Sequence, residues 1–190
     1  DKSQVIINAR ALNSGLRHGG ISGVLKHIPG HGRAKLDSHL VLPKVSEDQN
    51  VLENTDFSVF KELKDMEMGM TAHLIFDQLD PKNPATQSPT VINMIRNEIG
   101  FTGLLMTDDI SMNALEGNLK TRALKAFSAG CDIVLHCSGV LEEMKLLHQN
   151  SRELAGISLD RAKHAINNRP IPVSIDISQL KEEFESLLNE

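Results

Sequence analysis

The sequence predicts an α/β fold in which parallel strands are joined by helical crossovers. Three observations predict it. Short apolar runs of strand length alternate four times with longer segments of helical periodicity. The run Asp132-Ile133-Val134-Leu135-His136 is apolar without interruption, as a strand buried on both faces is. Two of the runs end on chemically capable side chains, Lys26-His27 and Asp108-Asp109, where parallel sheets present their sites.

In chain order, residues 3–18 form an amphipathic helix with Val5, Ala9, Leu12 and Leu16 on one face, ended by Gly19-Gly20. A strand over 21–27 follows. Asp56 is expected to cap a short helix running to Leu63, with Phe57, Phe60 and Leu63 inward. Residues 70–76 read as a second buried strand and 77–88 as a long loop. Pro89 suits the first position of a helix that carries Ile92, Ile95 and Ile99 on one stripe and stops at Gly100. Residues 103–107 make a third strand, 118–129 a helix, and 132–136 a fourth strand. Helices over 140–155, 158–168 and 178–188 complete the chain.

Composition narrows the function classes. Of 190 residues, 40% are hydrophobic and 24% charged, which places the chain among globular proteins with a real core. A net charge of −5 argues against nucleic acid and anionic membranes as partners. Neither a leader-like segment nor a membrane-length apolar run is present, although a chain opening on Asp1 is not expected to be the native start. The two cysteines, Cys131 and Cys137, flank one strand and are expected to be buried thiols of a reducing compartment, so a cytoplasmic location is expected.

The densest chemistry lies in Lys26-His27-Ile28-Pro29-Gly30-His31-Gly32, four residues, then Asp37-Ser38-His39. Gly30 and Gly32 allow positive φ, Pro29 fixes one dihedral, and the segment between Gly32 and Asp37 looks free to move. Three readings fit its histidines: a solvated loop, a zinc site from His27, His31 and His39, or an acid/base pair in which Asp37 orients His39. A carboxylate beside an imidazole fixes its tautomer and raises its pKa, which suits proton transfer near neutral pH. Asp108-Asp109 likewise reads as a cap plus a solvated charge, a metal site, or a catalytic carboxylate with its support. Lys26 is either a surface charge or a ligand contact, His73 a satisfied core histidine, and His136 structural.

These residues carry a resemblance. Lys-His-x-Pro-Gly-His-Gly followed by Asp-Ser-His resembles the signature of family 3 glycoside hydrolases, and more narrowly that of the bacterial β-N-acetylglucosaminidases (β-hexosaminidases) of peptidoglycan recycling. The family's usual Phe after Lys-His is Ile28 here. Within the family-wide pattern, the loop separates this group from the family's β-glucosidases, which characteristically lack it. The resemblance covers nearly the whole chain and implies one partial TIM-barrel domain over 1–190, strands five to eight, with the N-terminal half absent. That half would be the required partner, because exposed strand edges and an open inner face drive association.

The resemblance also implies roles. Asp108 matches the nucleophile, His39 the general acid/base, Asp37 the group orienting it, and Lys26 and His27 the sugar-contacting pair, with no metal and no organic cofactor. Asp109 is then a cap or a support, His31 a brace for the loop, and the Ala72-His73 pair, which the family also carries, leaves open a supporting role for His73 beside its reading as a core histidine. The implied activity is exo-hydrolysis of terminal N-acetylhexosamine from peptidoglycan fragments by a retaining mechanism. Because the family's other sugar-binding acidic and arginine side chains belong to the absent half, the chain alone is expected to be inactive. The rival reading is a catalytically dead half-barrel that binds carbohydrate or a partner.

Overall fold

The computed structural model describes residues 1–189. In chain order the elements are α1 (Lys2–His18), β1 (Leu25–Ile28), β2 (Lys44–Val45), α2 (Gln49–Asn54), α3 (Asp56–Glu62), β3 (Met68–Thr71) and β4 (Ile75–Phe76). A 3₁₀ turn (Ala85–Gln87) leads to α4 (Pro89–Met94), which runs on as a π-helical turn over Ile95–Ile99. Then come β5 (Leu104–Asp109), α5 (Leu119–Ala129), β6 (Ile133–Leu135), α6 (Leu141–Asn150), α7 (Gly156–Asn167) and α8 (Ile177–Leu188).

The main sheet has the order β1-β3-β5-β6, and every neighbouring pair is parallel. Each crossover therefore carries the chain one strand further in the same direction, which is the winding of one half of a (β/α)₈ barrel. β2 and β4 form a separate parallel ribbon through Lys44–Ile75 and Val45–Phe76. Between the sheet and its helices lies a core that includes Ile28, Leu52, Phe57, Phe76, Ile95, Phe101 and Leu105. Phe57 and Phe76 meet edge to face at 5.5 Å, an arrangement that favours the ring quadrupoles. Gly69 in β3 lets β1 and the helical layer close: a Cβ there would come within 2.6 Å of Ile28 Cδ1 and 2.8 Å of Phe101 Cζ.

The helix reading holds where one stripe meets the core. Ile92, Ile95 and Ile99 are all buried, and Ser88 caps α4 by accepting from the Val91 amide. Phe57 and Leu63 are buried as expected, but Asp56 is not the cap; it is the first residue of α3, and its carboxylate is taken by Arg33. On α1 only half of the expected stripe turns inward: Ala9 packs against the core and Leu16 is partly buried. Val5 and Leu12 are exposed, and the helix reaches the core through Ile6 and Ala9, tethered by Arg10–Asp65 and Arg17–Glu67 pairs.

Two strand boundaries also differ. The first strand starts at Leu25 rather than 21, since its ladder begins at Leu25–Gly69. The expected strand over 70–76 is two strands in two sheets. Ala72 still donates to the Ile28 carbonyl, but the Leu74 carbonyl accepts from Ala85, so the chain leaves the sheet at the intervening His73. Uninterrupted apolarity marks burial there, not a continuous ladder. The 140–155 helix ends at Asn150 and the next begins at Gly156. Cys131 is buried and Cys137 exposed; both are free thiols. No helix among the described residues is long and apolar enough to cross a membrane.

One buried charge ties these layers together. Asp132, just before β6, accepts from Arg96 (2.7 Å), Arg161 (3.0 Å), the Ser158 hydroxyl (2.7 Å) and the Leu105 amide (2.9 Å). The carboxylate, 2% exposed, thus joins β5, β6, α7 and the π turn. Asp132→Ala leaves two largely buried guanidinium groups uncompensated, and a loss of about 3–5 kcal/mol in urea unfolding free energy is expected. A change below about 1 kcal/mol would show that the network adds nothing to stability.

Candidate active site

All four strands point the same way, so the loops after β1 and β5 leave from one edge of the sheet. At that edge His27 Nε2 lies 3.4 Å from Asp108 Oδ2. The Asp108 Oδ1 atom accepts from the Asp109 amide at 2.8 Å. Burial pushes the His27 pKa down, against the pull of Asp108, so the ring is neutral at pH 7. Lys26 is exposed and forms no ion pair among the described residues, yet its charge reaches His27 and lowers its pKa further. The Lys26–His27 and Ile28–Pro29 peptide bonds are both cis.

The loop beyond Pro29 is more tied down than its glycines suggest. Gly30 has φ +146°, but Gly32 is not in the positive region. His31 Nε2 meets the Ser38 hydroxyl at 3.2 Å, which braces one end of the loop to the other. Arg33, unremarked in the sequence, is the anchor: it donates to Asp56 at 2.7 Å and Thr55 at 3.2 Å, and lies 3.5 Å from Glu47. A sequence offers no signal for that set, because its partners lie more than ten positions away.

Asp37 and His39 meet as the sequence suggested. Asp37 Oδ1 accepts from the His39 amide at 2.9 Å and lies 2.7 Å from His39 Nδ1. Those two hydrogen bonds hold the Asp37 carboxyl below the usual carboxylate range. His39 is 75% exposed, and it has no hydrogen bond or ion pair to Asp108 among the described residues. It stands close enough that its charge lowers the His27 pKa. His27, His31 and His39 do not converge on a common point; each ring has a different partner, and no group of three or more potential ligands is gathered among the described residues.

Support for Asp108 comes from its neighbours. Asp109 accepts from the Ser111 hydroxyl at 2.5 Å and amide at 3.0 Å, and from the Cys137 amide at 3.1 Å. Burial raises the Asp109 pKa, but these bonds outweigh it and leave the carboxyl below its ordinary value. His73 is buried completely, between Thr86 Oγ1 and the Asp109 carbonyl. His136 faces Glu143 at 2.9 Å, consistent with the structural role expected for it.

A parallel β/α sheet with imidazoles and carboxylates gathered at its C-terminal edge is the layout of a barrel-type enzyme. The chain belongs to glycosyl hydrolase family 3: residues 1–168 match that family's N-terminal domain. It is similar to the β-hexosaminidase of Methylobacillus flagellatus, 33% identical over 165 residues, which cover 85% of this chain and 47% of that protein. The β-hexosaminidase of Neisseria meningitidis serogroup C is 39% identical over 134 residues, 68% of this chain and 37% of that one. NagZ from Neisseria gonorrhoeae, solved in complex with N-trifluoroacetyl-D-glucosamine, aligns with a TM-score of 0.74 at 34% identity, over 85% of this chain and 47% of that one. The chain thus spans about half, or less, of the length of these relatives.

Burial of the site histidines carries a pH signature. The His73 pKa is lowered chiefly by desolvation. Below about pH 6.5 the unfolded chain takes up a proton that the folded chain resists, so stability is full above that pH and falls as the pH drops through the folded pKa. Urea midpoints measured from pH 7.5 to 5.5 are expected to decline, and less steeply in His73→Gln. An equal slope in both proteins would remove His73 from the account.

Proposed function

We propose that this chain is the C-terminal, nucleophile-bearing half of an exo-β-N-acetylglucosaminidase that releases terminal N-acetylhexosamine from peptidoglycan fragments with retention of configuration. The observation that carries the reading is the shared edge: Asp108 at the end of β5 faces His27 at the end of β1, while the loop leaving β1 presents an Asp37–His39 pair. The complex of NagZ with a glucosamine derivative supports the sugar class.

Asp108 attacks the anomeric carbon, the glycosidic C–O bond breaks, and the departing oxygen takes a proton from His39. Water then attacks the glycosyl–Asp108 ester, gives its proton to His39, and the sugar leaves with its original configuration. Asp37 holds the imidazole in one tautomer through both steps. Lys26 and His27 hold sugar hydroxyls. His39, exposed on its loop, reaches the scissile oxygen by a movement of that loop. This is chemistry for the chain's own side chains, with no metal or organic cofactor assigned a step.

The relatives extend well past the matched region, and the outer edges of β1 and β6 carry no partner strand among the described residues. We assign those edges to an N-terminal half-barrel that completes the sugar pocket, so the chain by itself is inactive. The free thiols fit a cytoplasmic site of action.

An assay with p-nitrophenyl N-acetylglucosaminide tests the reading, on this chain alone and with the N-terminal half supplied. Activity is expected only in the second case. There, His39→Ala is expected to lose about 10²–10⁴-fold on substrates with poor leaving groups and less on the nitrophenyl glycoside. Asp108→Asn is expected to abolish turnover. Full activity in either variant would refute the assignment, and activity of neither preparation would favour a catalytically dead half-barrel.

A further inference from the structure

The last part of β5 has lost its neighbour on one side. The β3–β5 ladder ends at Met70–Met106, yet β5 continues through Thr107, Asp108 and Asp109. On the other side it is still held: Asp109 pairs with Leu135, and its carboxylate takes the Cys137 amide. On the open side a single side chain replaces the missing ladder. His73 Nε2 lies 3.0 Å from the Asp109 carbonyl, whose second lone pair takes the Met112 amide at 3.1 Å.

Hydrogen-bond accounting fixes the polarity of that contact. A carbonyl only accepts, so Nε2 carries the hydrogen; in the neutral ring Nδ1 is then bare and needs a donor. Thr86 Oγ1, 2.8 Å away, supplies it, and Thr71 Oγ1, 2.8 Å from Thr86, supplies Thr86 in turn. Thr71, His73 and Thr86 are all completely buried, so no water competes for these bonds. The Thr86 hydroxyl has a second acceptor in reach, the Ala72 carbonyl at 3.0 Å, and a second proton on the ring would take His73 Nδ1 away as an acceptor and undo the chain. The Thr71–Thr86–His73 series ends on the Asp109–Ile110 peptide, one residue beyond Asp108.

We propose that His73 is a positioning residue: through the Thr71–Thr86 relay it holds the Asp109 carbonyl and thereby sets where the Asp108 carboxylate stands relative to His27. The catalytic consequence rests on Asp108 being the nucleophile; the positional one does not. A misplacement of about 1 Å in a reacting group costs on the order of 100-fold in rate.

Two variants of one residue separate positioning from simple burial. Asn places its amide where Nδ1 stands and loses the Asp109 contact, whereas Gln places a donor where Nε2 stands and keeps it. In the chain itself, NMR titration of the His27 ring is expected to show a lower midpoint in His73→Asn, because the ring loses the nearby carboxylate that favours its charged form, and the parent midpoint in His73→Gln. With the barrel completed, His73→Asn is expected to lose about 100-fold in kcat with KM nearly unchanged, and His73→Gln to recover most of that loss. Thr86→Val, with Thr86→Ser as its rescue, repeats the test should His73→Asn not fold. An unmoved His27 midpoint in both Asn and Val variants, or equal losses in Asn and Gln, would overturn the proposal. If Asp108→Asn retains activity, the nucleophile reading fails, and the His27 midpoints alone decide the role of His73.

Discussion

Four strands that all run in one direction deliver all their C-terminal ends to one edge, and the meeting of His27 with Asp108 follows from that constraint. His27 and Asp108 are separated by eighty-one positions in the chain, yet they meet because β1 and β5 each pair in parallel with β3. The parallel arrangement in turn requires helical crossovers, whose apolar stripes supply the buried layer behind the sheet. The Asp132 cluster fastens this layer at the opposite edge, near the starts of β5 and β6, leaving the site edge to be shaped by loops.

At that edge the protein works with few strong charges and several desolvated imidazoles. His27 and His73 are both pushed toward the neutral form by burial, so near pH 7 they act as directional hydrogen-bonding groups, not cations. Asp37 and His39 sit in the opposite setting, exposed on a loop and hydrogen-bonded to each other. The contrast sets a buried floor against an exposed loop. Asp108 belongs to the floor, held between the backbone of β5, His27 and the braces on Asp109.

Among the described residues the main sheet has no partner strand at either margin. All three residues of β6 are only partly buried, and α8 carries Ile177, Leu180, Phe184 and Leu187 exposed along its length. Such faces are unusual on a protein that acts alone. The matched relatives, each more than twice as long as the segment they share with this chain, extend well beyond it.

By itself the sequence determined the class of fold and the signature loop and singled out the candidate site side chains, because these depend on local rules: apolar runs bounded by glycine, helical stripes such as Ile92, Ile95 and Ile99, and a carboxylate two residues from an imidazole. The tertiary structure alone decided where strands end and which long-range partners each group meets. Residues 70–76 look like one strand because burial and ladder pairing produce the same apolar run, and only the hydrogen-bond partners of Ala72 and Leu74 tell them apart. Arg33 became an anchor and His73 a prop for Asp109 through contacts more than ten positions away, where side-chain chemistry is silent until the chain has folded.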